Sequence, residues 1–295
     1  MSMNAVNTAN SANTRRTLDL LHMPDAGIAR DRSQDATRVT ARELVKLLRF
    51  DCENDPALDS LVFTTRRVSA GEVLYRAGDA CQSFYVVRSG VLKTVAINEE
   101  GAEQVLSFRI KGDPVGMDGV GSGRHASEAI ALENVEVIIV PIAVLSRSAR
   151  ACPVLDGLAY RALSRELVRE QALIYVIASL RAEARVAAFL VNLADRYGAL
   201  GYSRTSFVLR MTRQEIGSCL GLQLETVSRT FSAFAAARLM VVDLKNIEIL
   251  DLAALRRIVT DSPSARTMGA DGPRASTAAR PRSTGLSGRV LAFAA

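Results

Sequence analysis

The sequence predicts an α+β chain: a roll of short β-strands, then one long helix, then a winged helix-turn-helix. Three observations carry this. Between Val62 and Val140, short apolar runs are punctuated by Gly71, Gly78, Gly90, Gly101 and Gly112, the regular spacing of a sandwich or roll. After Pro153 the apolar period changes to three and four residues and holds to about Leu180, as in one continuous helix. From Met211 to Arg229, two short helical patterns flank Gly221.

Residues 1–40 are rich in Asn, Ser, Thr, Ala and Arg without sustained periodicity, and read as a disordered tail. The roll takes 41–154. It opens with a short helix over Arg42 to Leu48, and its clearest strands are Phe84–Val87, Val91–Ile97, Glu103–Phe108 and Val135–Val140. The long helix takes 155–180, with Pro153 where helices begin. Leu163, Leu167, Glu170, Ile174 and Ile177 follow alternating steps of four and three, a coiled-coil seam. Two placements of Glu170 fit. In a parallel two-fold dimer it meets its own copy, and two carboxylates there repel and lose hydration. With the helix slightly rotated, it lies at the solvated edge. Residues 181–254 form the last domain: a helix over Arg181 to Arg196, the helix-turn-helix at about 212–233, and a wing. The wing joins Leu239–Val242 to Ile247–Leu250 across Lys245 and Asn246. Residues 262–295 return to Ser, Pro, Gly, Ala and Arg, a second disordered and basic tail.

Thr212 followed three residues later by Glu215 is a capping-box signature. Ile216 and Leu220 give the first short helix an apolar face, Gly217 admits a close neighbour, and Gly221 with Leu222 ends it. In the second helix Leu224, Val227 and Phe231 fall inward, and Glu225, Ser228, Arg229 and Ser232 outward. Helix, glycine turn and amphipathic helix is the layout that sets a second helix into a DNA major groove. The outward set suits base edges. Arginine can donate two parallel hydrogen bonds to guanine, glutamate accepts from the cytosine amino group, and serine serves either role. The competing reading is a plain surface helix with an i,i+4 Glu225–Arg229 salt bridge, worth roughly 0.2–0.5 kcal/mol.

The stretch Met211 to Arg229 resembles the DNA-binding signature of the CRP/FNR family of bacterial transcription regulators, nearest the FNR branch. Upstream, Tyr75–Asp79, Arg88–Gly90 and Gly112–Gly123 resemble that branch's sensory β-roll, a cyclic-nucleotide-binding-like domain. The resemblance covers roughly residues 58–256, with both motif sets in the same order. It implies DNA contacts from Thr212, Arg213, Gln223, Glu225, Thr226, Ser228 and Arg229, on inverted half-sites like TTGAT. Arg229 would take the guanine and Glu225 the paired cytosine. It further implies dimerisation along Leu163, Leu167, Glu170, Ile174 and Ile177, with acidic Glu170 weakening the dimer until a signal arrives. Lys111, Gly112 and Asp113 resemble the family's polymerase-contacting loop, which implies activation.

The same resemblance marks what is missing. FNR itself holds an iron–sulfur cluster on three close N-terminal cysteines and one in the roll. Here the first forty residues contain no cysteine, and Ile138 stands at the roll position. Cys52, Cys81, Cys152 and Cys219 are scattered, whereas a cubane cluster needs four convergent thiolates. Members that bind cyclic nucleotides use a Gly-Glu-Leu turn and an Arg-Ser pair. This chain has Gly116-Met117-Asp118 and Arg124-His125-Ala126-Ser127 there. Arg124 could grip a phosphate, but the carboxylate and small-residue pattern is wrong. No cofactor and no metal is predicted; His125 leaves haem open, although a lone loop histidine is usually only polar. Two smaller departures concern the second helix. Gln223 replaces the usual Ser or Thr N-cap, and Arg238 replaces the usual closing glycine.

A chain of 295 residues has room for two cores, and its net charge is +6. The excess sits in the tail, where Arg266, Arg274, Arg280, Arg282 and Arg289 face Asp271 alone. That tail either adds unspecific phosphate affinity or is merely solvated. No apolar run approaches the ~18 residues that span a bilayer, no secretory pattern opens the chain, and the scattered cysteines suit a reducing cytoplasm. No paired-carboxylate motif, nucleophile elbow, P-loop or metal-ligand spacing is present, which argues against an enzyme. The expectation is a cytoplasmic homodimer that binds double-stranded DNA and RNA polymerase, with no membrane association. The alternatives are a regulator acting mainly through protein contacts, or a β-roll sensor of some ligand other than a cyclic nucleotide.

Overall fold

The computed structural model describes residues 37–50, 57–144 and 153–262. Apart from their inner ends, the two expected tails lie outside these residues, as do Cys52 and Cys152. The α+β architecture is present, with strands first and helices after. One strand lies inside the stretch expected as tail. β1 (Arg38–Thr40) pairs antiparallel with β2 (Val62–Val68), and Val39 is buried opposite Phe63. Three residues are too few to show a period; their partner decides them. Thr40 then caps α1 (Ala41–Leu47): Glu43 N–H donates to Thr40 Oγ1 at 3.2 Å, and Thr40 N–H to Glu43 Oε2 at 2.8 Å.

The roll is two antiparallel sheets. The first has the order β1-β2-β9-β4-β7, completed by β4 (Ser83–Ser89), β7 (Pro114–Val115) and β9 (Val135–Pro141). The second has the order β3-β8-β5-β6, from β3 (Val73–Tyr75), β8 (Glu128–Ala131), β5 (Leu92–Ile97) and β6 (Glu103–Arg109). Val68, Val87 and Val137 of one sheet meet Leu74, Leu92 and Ala129 of the other in a shared core. A short helix α2 (Ala57–Ser60) precedes β2. The tight turn into β5 needs Gly90: its φ is +84°, and a Cβ there would stand 2.7 Å from the Asn134 carbonyl oxygen.

The long helix α3 (Pro153–Ser179) has two apolar faces. Leu158, Ala162, Ala172 and Val176 are buried against the chain's own core. The stripe marked by the four-three spacing points away: Leu163 is 39% exposed, Leu167 56% and Ile174 65%, with Glu170 exposed among them. Ile177 instead turns half-buried toward Gly221.

The last domain starts with α4 (Ala182–Ala199) and continues through β10 (Ser206–Val208), α5 (Arg213–Leu220) and α6 (Leu224–Ala236). It ends with β11 (Met240–Asp243), β12 (Asn246–Ile249) and α7 (Leu252–Thr260). Two corrections follow. The wing turns at Leu244 and Lys245, one residue earlier than expected, because Asp243 pairs with Asn246; β10 adds a third strand. The helical packing also runs past residue 254. Asp251 caps α7 by accepting from Ala254 N–H at 2.8 Å, and Leu255 and Val259 bury against this domain's core.

Candidate DNA-reading face and its coupling to the roll

Helix α5 forms as its sequence dictates. Thr212 Oγ1 accepts from Glu215 N–H at 3.1 Å, and Thr212 N–H donates to Glu215 Oε2 at 2.7 Å. Leu222 N–H then reaches back to the Gly217 carbonyl at 2.8 Å and Gly221 N–H to Ser218 at 3.3 Å, with Gly221 at φ +63°, a Schellman closure. Gly217 has to be glycine, since a Cβ would stand 2.6 Å from the Leu222 oxygen.

Helix α6 buries Val227, Thr230, Phe231 and Phe234 and leaves Glu225 and Arg229 exposed, with Ser228 half-exposed. Leu224 does not join the inward face; at 42% exposed it lies in the helix's open first turn. Among the described residues Glu225 and Arg229 make no ion pair with each other, so the plain salt-bridge reading of this face fails. Both side chains are exposed and hold no hydrogen bond or ion pair among the described residues. Of the other residues expected at DNA, Thr212 is occupied as a cap, and Thr226 gives its carbonyl to Thr230 Oγ1 at 2.8 Å. Arg213 lies back over the Phe231 ring, 3.5 Å from its centroid, and burial holds its guanidinium below the usual range. It packs α5 on α6 rather than pointing outward.

Gln223 occupies the N-cap position with φ −75° and ψ 151° but makes no side-chain cap hydrogen bond. Gln223→Thr is therefore expected to stabilise the last domain by about 0.5–1 kcal/mol. Urea unfolding of the full chain checks this; an unmoved midpoint for that domain's transition would show the amides of the first turn already satisfied by water. At the other end, Leu239 N–H reaches the Phe234 carbonyl at 2.9 Å and Arg238 sits at φ +55°. The helix closes as a glycine would close it, at the cost of left-handed backbone.

The reader domain is seated on the roll. Edge strand β6 is covered by α5: Val105 N–H donates to Ser218 Oγ at 2.9 Å, and the Gln104 amide donates to the Ser218 carbonyl. Lys93 stands between Glu103 (3.0 Å) and Glu215 (3.2 Å). Val95, Val105 and Phe108 of the roll share one core with Val186, Leu190 and Leu220 of the reader domain.

Beneath this contact lies a charged cluster that sequence reasoning missed. Asp113 is 1% exposed and pairs with Arg169 of α3 at 2.7 Å and with Arg196 of α4, while accepting from Ile110 N–H at 2.8 Å. Glu166 of α3 pairs with Arg109 of β6 and with Arg169 at 2.9 Å. Burial pushes the Asp113 carboxyl up, but Arg196 and Arg169 outweigh it and hold it below the usual carboxylate range. This corrects the expected polymerase loop: Asp113 and Gly112 are buried, the former spent on internal arginines. Lys111 is half-buried, its Nζ 5.9 Å from the Tyr202 ring centroid. Nothing in local spacing announces the cluster, because its members come from four separate elements.

Between roll, α3 and reader domain lies a cavity of about 820 Å³, lined by Phe108, Arg109, Leu173, Phe189 and Arg196 among others. Among the described residues no group of three or more His, Cys, Asp or Glu side chains could hold a metal. Cys81 sits beside Gly119 in the roll and Cys219 in α5, where burial pushes its thiol up to about 12. These two thiols do not form a cluster-binding set.

Comparison with known proteins agrees with this geometry. Residues 65–150 match the cyclic nucleotide-binding domain and residues 184–258 the Crp-like helix-turn-helix domain. The transcriptional regulatory protein btr of Bordetella pertussis is 41% identical over 202 residues, which are 68% of this chain and 84% of that one. The fumarate and nitrate reduction regulatory protein of Escherichia coli is 37% identical over 201 residues, 68% of this chain and 80% of that one. The solved structure of FixK2 from Bradyrhizobium japonicum shares the fold, with a TM-score of 0.61 at 24% identity over 67% of this chain and 98% of that one. With roll, long helix and exposed reader helix in the order its relatives share, the chain belongs to the CRP/FNR family of transcription regulators and is a DNA-binding regulator of that type.

Proposed function

We propose that this regulator acts in the cytoplasm as a homodimeric activator that reads inverted TTGAT-like half-sites about one helical turn apart. The observation that carries this reading is the exposed, unpaired state of Glu225 and Arg229 on one face of α6, with Ser228 between them. Arg229 is suited to guanine and Glu225 to the paired cytosine. Selection of bound duplexes from a random pool by the full chain tests it. An inverted repeat with that half-site is expected; enrichment of an unrelated or unrepeated sequence would overturn the reading.

Dimerisation along α3 is supported by Leu163, Leu167 and Ile174, large apolar side chains held in solvent in a single chain. Glu170 stands among them. If two copies face each other, Glu170→Leu removes like-charge repulsion and the dehydration of two carboxylates, so dimerisation should tighten by about 1–3 kcal/mol. Sedimentation velocity across a dilution series measures it, and equal dissociation constants for wild type and variant would put Glu170 outside the seam. Activation implies contact with RNA polymerase. Within Lys111–Asp113, Lys111 is the residue with a side chain near the surface.

The cavity supports a second role, sensing of a small ligand other than a cyclic nucleotide. Its walls combine apolar side chains with Arg109, Arg169 and Arg196, the mixture found in ligand pockets.

A further inference from the structure

Two segments of the roll meet beside this cavity: the turn Gly116–Gly119 after β7, and the loop Arg124–Ser127 before β8. Asp118 Oδ2 accepts three hydrogen bonds there, from Ala126 N–H at 3.1 Å, Ser127 N–H at 2.9 Å and Ser127 Oγ–H at 2.7 Å. Its other oxygen stands 3.5 Å from His125 Nδ1. Two successive backbone amides and a hydroxyl converging on one oxygen form a nest of the kind that binds anions. In this chain the anion is part of the protein.

The surroundings hold that carboxylate in place. His125 is 4% exposed and stacks on Tyr75 with ring centroids 3.8 Å apart. Gly116 makes room for both rings, since a Cβ would lie 2.9 Å from His125 Cε1 and 3.2 Å from Tyr75 Cε1. Arg124 is turned to the Gly78 carbonyl at 2.6 Å. Asp118, Ala126 and Ser127 all line the 820 Å³ cavity, so the nest opens onto a space of ligand size. Burial pushes the Asp118 carboxyl up, but hydrogen bonds from His125 and Ser127 outweigh it and keep it below the usual range, hence ionised at neutral pH. The nest lies within the segment that matches a cyclic nucleotide-binding domain, and a cyclic nucleotide carries one phosphodiester anion.

We infer that Asp118 is a resident anion filling the phosphate position of this roll, and that it is the residue by which the cavity refuses phosphate-bearing ligands. The inference rests on the reading that the roll senses something other than a cyclic nucleotide, and names the residue responsible. A phosphate entering here would find its donors taken and a negative charge in its place. Removing the carboxylate should leave an empty nest that accepts phosphate.

The test uses the full chain, with inorganic phosphate and 3′,5′-cyclic AMP as probes against chloride at equal ionic strength. Wild type should show neither a saturable isotherm by calorimetry nor a phosphate-specific thermal shift. Asp118→Ala should gain both, with a rise in melting temperature of roughly 2–4 °C at saturating phosphate. Asp118→Asn, which keeps an acceptor oxygen in the nest without its charge, should stay as silent as wild type. Cyclic AMP binding by wild type would overturn the reading of the roll itself. A folded Asp118→Ala chain indifferent to phosphate would overturn only the role of Asp118, as would an Asp118→Asn chain that binds as tightly as Asp118→Ala. If Asp118→Ala does not fold in chloride, folding in phosphate supports the inference and folding in neither overturns it.

Discussion

Arg229→Ala should weaken binding to an inverted TTGAT-type duplex by roughly 2–6 kcal/mol, about 30-fold to more than 10⁴-fold, since a bidentate arginine–guanine contact contributes about 1–3 kcal/mol and a symmetric dimer makes two. The guanidinium is exposed near the start of α6 and holds no ion pair among the described residues. No hydrogen bond or ion pair among the described residues is lost with it, so the loss is expected at DNA rather than in the fold. Arg229→Lys should recover only part of the affinity, because an ammonium lacks the planar fork that meets O6 and N7 together. Gel-shift titrations at one fixed salt concentration, on the TTGAT-type site and on a scrambled duplex, separate base reading from phosphate contact. An equal loss on both duplexes would mean that Arg229 touches only the backbone.

Asp113→Ala is expected to destabilise the fold by about 3–5 kcal/mol, the scale for removing one partner from a buried ion pair. Asp113 is 1% exposed and joins three parts of the molecule: its own loop after β6, Arg169 of α3 and Arg196 of α4. Without it, Arg109 and Arg169 keep Glu166 as an acidic partner, while Arg196 loses its carboxylate and keeps the Phe108 carbonyl at 3.3 Å. The difference from wild type should depend on pH. The folded-state pKa is depressed, so the stabilisation is fully present above the ordinary unfolded carboxylate value near ~3.9. It is lost as pH falls through the lower folded-state value. Urea unfolding of both chains at neutral pH and in acid measures this. Equal midpoints at neutral pH would show that the arginines relax into water once the carboxylate is gone.

The reader helix, its capping box and its glycine turn were legible in the sequence because they are local. Thr212 and Glu215 are three residues apart, Gly221 sits where the helix must reverse, and Val227 and Phe231 return at a helical interval, although Leu224, expected inward with them, is exposed. The strands β4, β5, β6 and β9 were legible for the same reason, since each presents a short β-like run between turn signals. The family resemblance pointed to two further features, a Gln223 without the usual capping hydroxyl and an Arg238 at the position of the usual closing glycine, and the structure shows Gln223 making no side-chain cap and Arg238 in left-handed backbone.

Tertiary structure alone decided the rest, wherever a residue's role depends on a partner distant in sequence. β1 exists because β2 offers it an edge, and β10 because β12 does. Asp113 resembled a surface residue until Arg169 and Arg196, far along the chain, closed over it. The spacing of α3 revealed its solvent-facing stripe but hid that Glu166 and Arg169, flanking that stripe on the side toward the core, carry buried charge. Asp118 and Ser127 meet only because the roll folds their loops together. Periodicity records which face a residue occupies, whereas buried charge pairs and anion nests are fixed by which faces meet.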